Sequence, residues 1–219
     1  MKMENGKFQV IILNKMSKKH KPADEIQDIQ FFGEFGGVNP SITDSSTFTY
    51  LAGKTMEEVF DGGREGCYLY SRHINPSNQY LSKAIARMEN TEAAVVTSSG
   101  MAAISSTILQ ICSSGDNIIS SNAVYGGTYA LFKNLLPRFN IKTRFVSVFN
   151  FKEIEKKINS KTKLIYCESV SNPLLEVADI KKISAIAKKH KIKLIIDNTF
   201  CPLICTPRKY GADVVIHSV

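Results

Sequence analysis

KLIIDNTFCPLICTPRKYGADVVIHSV, residues 193–219, decides how the rest of this chain is read. It contains two short apolar runs, Lys193–Ile196 and Asp213–Ile216. Polar residues close each run at its C-terminal end: Asp197-Asn198 after the first, His217-Ser218 after the second. Short apolar runs bounded by polar residues read as buried strands. In open α/β sheets, ligands bind beyond the carboxyl ends of such strands. The stretch therefore predicts two inner strands whose polar ends face a ligand.

Upstream, from Pro76 onward, the same grammar repeats. Further strands are predicted at Ala93–Thr97, Asn117–Ser120, Lys142–Val148 and Lys163–Cys167. Helices are predicted between them at Met101–Cys112, Thr128–Leu136, Phe151–Ile158 and Asp179–His190. Pro76 opens another helix, with Asn75 as N-cap and Leu81, Ile85 and Met88 at helical spacing. Strands alternating with helices of this length imply βαβ units and a mostly parallel sheet covered on both faces. Before Pro76 the chain is less regular. Ser41–Tyr50, dense in Ser and Thr, reads as extended, and Thr55–Phe60 as one or two helical turns ended by Gly62-Gly63. Residues 1–39 are polar apart from Phe8–Leu13 and carry the basic run Lys15–Lys21. They are expected to form a poorly ordered start, or an arm lying on a partner subunit.

The chain has 219 residues, 43% hydrophobic and 22% charged, enough for one large domain with a sizeable core. Its formal net charge of +8 raises a nucleic-acid reading. That reading is set aside because the lysines are interleaved with acids along helix-forming stretches and no zinc-finger spacing or ribonucleoprotein motif is present. Five cysteines, an odd number without a CxxC pair, argue against a disulfide framework and a thiolate metal site. Cys201 and Cys205 are expected to be half-buried thiols, and Cys167 a core residue. FQVIILN is too short for a secretory signal, and no run approaches the ~18 apolar residues that span a bilayer. The expected location is the cytoplasm.

Several residues could carry chemistry. Ser98-Ser99-Gly100-Met101 stands where a strand turns into a helix, and small residues there let backbone N–H groups approach an anion. The bland alternative is a tight turn. No Walker loop and no GxGxxG is present. Asp197 at a strand end could hold a cation or a protonated ring nitrogen, or merely cap the next turn. Asp197, His217 and Ser218 suggest a hydrolytic triad, but no GxSxG elbow exists and His217 and Ser218 point to opposite faces. Tyr125, before Gly126-Gly127, could stack on a planar cofactor or pack a turn. In an extended Tyr70-Ser71-Arg72 segment the phenol and guanidinium would point the same way and could grip a phosphate.

Taken together, a phosphate cradle, a stacking aromatic and a carboxylate for a pyridine nitrogen suit pyridoxal 5'-phosphate (PLP). The chain resembles the Cys/Met-metabolism PLP enzymes, the family of cystathionine γ-lyase, cystathionine γ-synthase, methionine γ-lyase and O-acylhomoserine sulfhydrylase. The pieces that carry the resemblance are YSRHINPS (70–77), TSSGMAAI (97–104), VYGGTY (124–129), ESVSNPLLEVADI (168–180), DNTF (197–200) and ADVVIHSV (212–219), in the family's order.

The resemblance implies a three-layer α/β/α large domain of aspartate-aminotransferase type (fold type I) over residues 70–219. It implies an N-terminal arm and extended segment over residues 1–69 that contacts a neighbouring subunit. It assigns Ser99, Gly100, Met101 and Ser218 to the cofactor phosphate and Asp197 to the pyridinium nitrogen. It assigns Asn172 to the 3-hydroxyl side of the ring, and Tyr125 to stacking and to proton transfer at the γ-leaving group. Tyr70 and Arg72 would reach the phosphate of a neighbouring subunit, so the unit would be a homo-oligomer, at least a dimer and usually a tetramer. The family's strand-end motif is His-Ser-x-Thr-Lys, and His217-Ser218-Val219 supplies its first three positions. The resemblance thus implies a large domain cut just before the Schiff-base lysine, without the C-terminal small domain. The activity it implies is γ-cleavage of a sulfur amino acid in trans-sulfuration. The alternatives are γ-replacement by the same residues, or an inactive fragment that keeps only fold and oligomer contacts. Gly127 stands where methionine γ-lyases commonly have Cys, and is what cystathionine lyases and synthases tend to show. His73-Ile74 also departs from the family's commoner wording.

Overall fold

Alternate burial of side chains on two faces is what makes the centre of this chain a sheet. The computed structural model describes residues 3–4, 7–8, 21–27, 39–62 and 66–219. Most of the expected arm over residues 1–39 lies outside the described residues. Within it, β1 (Met3–Glu4) and β2 (Lys7–Phe8) form a short antiparallel ladder, and α1 (Pro22–Gln27) lies against a later helix. Residues 41–50 are irregular apart from a single antiparallel bridge between Thr47 and Tyr70. Two helices follow, α2 (Gly53–Phe60) and α3 (Pro76–Glu89), the latter being the partner of α1. Asn75 caps α3, its side-chain oxygen accepting from Ser77 N–H at 2.9 Å, and Pro76 occupies the first turn, where no N–H is missed.

The remainder runs α4 (Gly100–Ile111), β3 (Asn117–Ser121), α5 (Gly126–Ala130), β4 (Lys142–Val146), α6 (Phe151–Lys157), β5 (Thr162–Glu168), α7 (Ile180–Lys189), β6 (Lys193–Asp197) and β7 (Val214–Ile216). The five strands β3–β7 form one parallel sheet in the order β4-β3-β5-β6-β7. Ile118, Leu164, Tyr166, Ile195 and Ile216 face α4 and the segment after α5. Ile119, Ile165, Cys167, Leu194 and Ile196 face α6 and α7. Both faces of each inner strand are therefore covered, which is why those strands read as unbroken apolar runs. Each buried Ile or Leu adds roughly 1.5–3 kcal/mol through removal from water. Helix α7 shows the matching pattern: Ile180, Ile183 and Ala187 are buried, while Lys181, Lys182, Lys188 and Lys189 face solvent. Several lysines pair with acids, Lys182 with Asp179 at 2.9 Å and Lys189 with Glu155 at 2.6 Å, as expected of a solvated face.

Three expectations need correction. Residues 93–97 form no strand: they make no ladder bonds and Val95 is 85% exposed. The helix expected over Thr128–Leu136 is α-helical only to Ala130, then π-helical over Leu131–Leu135 and 3₁₀ over Leu136–Phe139. Pro137 explains the change, because it has no N–H to continue the α ladder and its ring crowds the preceding turn. Tyr70-Ser71-Arg72 is not extended throughout. The chain turns after Tyr70, whose carbonyl accepts from His73 N–H at 2.9 Å and Ile74 N–H at 3.2 Å.

Candidate active site

The strand order places a crevice. Counted from β3, the order is that of a doubly wound sheet whose first and third strands are neighbours. The connections from β3 and β5 therefore depart toward opposite sides. Ligands of open α/β sheets bind at this switch point, beyond the strands' carboxyl ends. A cleft of about 310 Å³ lies there, within the size range of small-ligand sites. It collects Tyr125 from the loop after β3, Glu168 and Asn172 from β5 and its loop, Asp197 and Thr199 from β6 and the turn after it, and Ser218 from just beyond β7. Ser99, Gly100 and Met101 enter from the start of α4.

The helix end is built for an anion. Ser99 is the N-cap, its hydroxyl accepting from Ala102 N–H at 3.1 Å, and this leaves the first N–H groups of α4 pointing out of the helix. Gly100 is required there by packing. A Cβ on Gly100 would lie 2.6 Å from Ser218 Cβ and 2.8 Å from its hydroxyl. The glycine thus lets helix end and strand end meet, and brings hydroxyl and N–H donors to one place.

Asp197 is 9% exposed and held from two sides. Tyr166 donates its hydroxyl to Oδ2 at 3.1 Å, and Thr199 donates its N–H at 3.0 Å and its hydroxyl at 2.6 Å to Oδ1. The Thr199 hydroxyl in turn accepts from Ser218 N–H at 3.0 Å, which ties the carboxylate to the phosphate-side serine. Burial, together with the Asp197 and Glu168 charges, pushes the Tyr166 phenol well above its ordinary value, so Tyr166 keeps its proton and donates. Tyr125 is half exposed at the mouth of the cleft, with Gly127 beneath its ring. A Cβ on Gly127 would lie 2.6 Å from Tyr125 Cε1 and 3.2 Å from Met101 Sδ.

The His217 side chain is buried and its Nε2 is hydrogen-bonded to Glu89 Oε1 at 2.8 Å, which removes the hydrolytic-triad reading. Asn198 adds a bond to the same oxygen at 3.2 Å. This buried trio joins the end of α3 to the ends of β6 and β7, beside Asp197 and Ser218.

The cleft gathers seven residues anticipated from sequence: Ser99, Gly100, Met101, Tyr125, Asn172, Asp197 and Ser218. Tyr70 and Arg72 are not among its lining. They lie together elsewhere, with the Arg72 guanidinium carbon 4.9 Å from the centre of the Tyr70 ring, and Tyr70 lines a more open hollow of about 550 Å³ with Phe48, Met56 and Phe60. Sequence reasoning missed Tyr166, Glu168, Thr199 and Glu89. A buried tyrosine seeks a hydrogen-bond partner, so the Tyr of LIYCES carried a readable signal. Thr199, two residues after an Asp at a strand end, was legible as an Asx turn. Glu89 pairs with a residue 128 positions away and has no local signal. Among the described residues no group of three or more ligating side chains could hold a metal ion.

The site fits PLP on its own terms: a helix start that Gly100, lacking a Cβ, lets meet Ser218, a buried carboxylate for a pyridine nitrogen, and an aromatic at the mouth. Fold and cleft together define the large domain of a PLP-dependent protein of fold type I. The model of the Cys/Met metabolism PLP-dependent enzymes matches residues 26–219, and the chain belongs to that family. It is 46% identical over 204 residues to a methionine gamma-lyase of Arabidopsis thaliana, covering 90% of this chain and 46% of that one. It is 42% identical over 175 residues to a homocysteine/cysteine synthase of Saccharomyces cerevisiae, covering 75% of this chain and 39% of that one. Its fold is similar to that of a crystal structure described as an O-acetylhomoserine (thiol)-lyase of Campylobacter jejuni, solved with pyridoxyl-lysine-5'-monophosphate. That match has a TM-score of 0.84 at 34% identity and covers 91% of this chain and 50% of that one. The chain spans about half the length of the relatives it matches.

Proposed function

We propose that the protein carrying this chain is a PLP-dependent γ-lyase of sulfur amino acids, and that the cleft at the switch point is its cofactor site. The observation that carries the reading is the meeting of Gly100, Ser218, Asp197 and Tyr125 in one cleft. When bound, PLP supplies an electron sink that weakens the bonds of an attached amino acid. The chain's own residues do the rest. The N–H groups of the α4 start and the Ser218 hydroxyl bind the phosphate. Asp197, held by Tyr166 and Thr199, keeps a proton on the pyridine nitrogen. Asn172 holds the 3-hydroxyl side. Tyr125 stacks on the ring and hands a proton to the departing γ-sulfur. Tyr70 and Arg72, outside their own chain's cleft, serve the phosphate of a neighbouring copy in a homo-oligomer.

A second reading, γ-replacement, has support from the synthase and thiol-lyase names among the relatives. The two share every residue role given above except the leaving group that Tyr125 faces, the γ-sulfur in the lyase and the γ-acyloxy oxygen in replacement, and they differ in what adds after that group has left. The test supplies the protein with PLP and, in separate reactions, L-methionine, L-cystathionine, or an O-acylhomoserine with sulfide. Release of 2-oxobutyrate from either of the first two supports the lyase. Homocysteine from the third alone supports replacement, and no product from any of them defeats both.

A further inference from the structure

One carboxylate in the cleft has no part in the roles above. Glu168 is the last residue of β5 and is 7% exposed. Its Oε1 accepts the N–H of Tyr125 at 2.7 Å, and its Oε2 accepts the N–H of Asn172 at 2.8 Å. Tyr125 belongs to the loop after β3 and Asn172 to the loop after β5, the two loops that separate at the switch point. The two oxygens of a carboxylate are rigidly linked. One N–H held on each sets the spacing of the two loops.

We propose that Glu168 is a positioning residue of the cofactor cleft: by holding one backbone N–H on each side of the switch point, it fixes the Tyr125 ring and Asn172 at the separation a planar ligand needs. This rests on the cofactor reading of the cleft given above. No neutral side chain of the same size does the same job. Glutamine offers one acceptor, and its NH₂ would face an N–H with no lone pair to give. Aspartate keeps the charge but is one methylene shorter. The charge is also held against resistance. Burial raises the Glu168 pKa above its ordinary 4.5, Asp197 on the neighbouring strand adds to this, and the two backbone N–H groups oppose it. Among the described residues, the Glu168 charge also acts on Tyr166 and Cys167 of its own strand, both pushed upward and therefore neutral.

The test is made on the chain itself, with pyridoxamine 5'-phosphate as probe, since it has no aldehyde to react with surface lysines. In the free chain, the Tyr125 and Asn172 amide protons are followed by NMR as pH is lowered. They are expected to move together, with one midpoint above the ordinary glutamate value. Probe affinity is then compared between the wild type and Glu168→Gln. A loss of about tenfold is expected, the equivalent of one hydrogen bond to a charged group, with partial recovery in Glu168→Asp. Amides that titrate independently, or not at all, overturn the clamp; this arm needs no variant to fold. Amides that co-titrate while Glu168→Gln binds the probe as tightly as wild type leave Glu168 a structural residue and overturn the positioning role. A wild-type chain that binds no probe defeats the cofactor reading, and with it the role toward that ligand, while the amide titration still reports on the clamp separately.

Discussion

At the scale of single residues, two glycines and a carboxylate set the shape of the cleft. Gly100→Ala would place a Cβ 2.6 Å from Ser218 Cβ, with the Ser218 backbone 3.3 Å away and unable to yield cheaply. The expected result is a folded protein, destabilised by about 1–3 kcal/mol, that has lost measurable affinity for pyridoxamine 5'-phosphate in a fluorescence titration. Gly127→Ala meets the far end of a half-exposed ring instead. The ring can swing away, so stability should change by less than about 1 kcal/mol while the ring-current shifts that Tyr125 imposes on its neighbours change in NMR spectra. Glu168 gives a pH prediction. Its folded pKa lies above the ordinary 4.5, so the folded chain keeps a proton that the unfolded chain has released. The contribution to stability is thus fully present below the unfolded value and is lost as pH rises through the folded one. Denaturant unfolding of Glu168→Gln should lack this component of the slope.

At the scale of elements, the inner strands were legible because burial on both faces leaves one mark, an unbroken apolar run, and both Lys193–Asp197 and Thr162–Glu168 carry it. Caps were legible for the same local reason: Asn75 and Asp179 each accept from an N–H two or three residues on. What was not legible depended on partners distant in sequence. Residues 93–97 are apolar enough for a strand, yet no described strand pairs with them. The buried trio of Glu89, His217 and Asn198 joins α3 to the ends of β6 and β7, and nothing near Glu89 announces it. Removing one partner of a buried hydrogen bond leaves the other unsatisfied, so His217→Ala should cost about 1–3 kcal/mol in denaturant unfolding. In the other layer, Ile183→Ala, at a side chain 1% exposed under α7, should cost about 2–5 kcal/mol by opening a cavity.

At the scale of the molecule, a parallel sheet with a switch point puts the ends of four strands and one helix around a single cleft. The residues that chemistry would require of a PLP site were readable in the sequence because each stands at a strand end or helix start. The residues that hold them, Tyr166, Thr199 and Glu168, emerged only from the packing. The central claim is the location of the cofactor, and one measurement bears on it most directly: the amide spectrum of the chain titrated with pyridoxamine 5'-phosphate. The account predicts saturable shifts confined to Gly100, Met101, Tyr125, Asn172, Asp197, Thr199 and Ser218. Shifts centred on the hollow around Phe48, Met56 and Tyr70, or no saturable shifts at all, would contradict it.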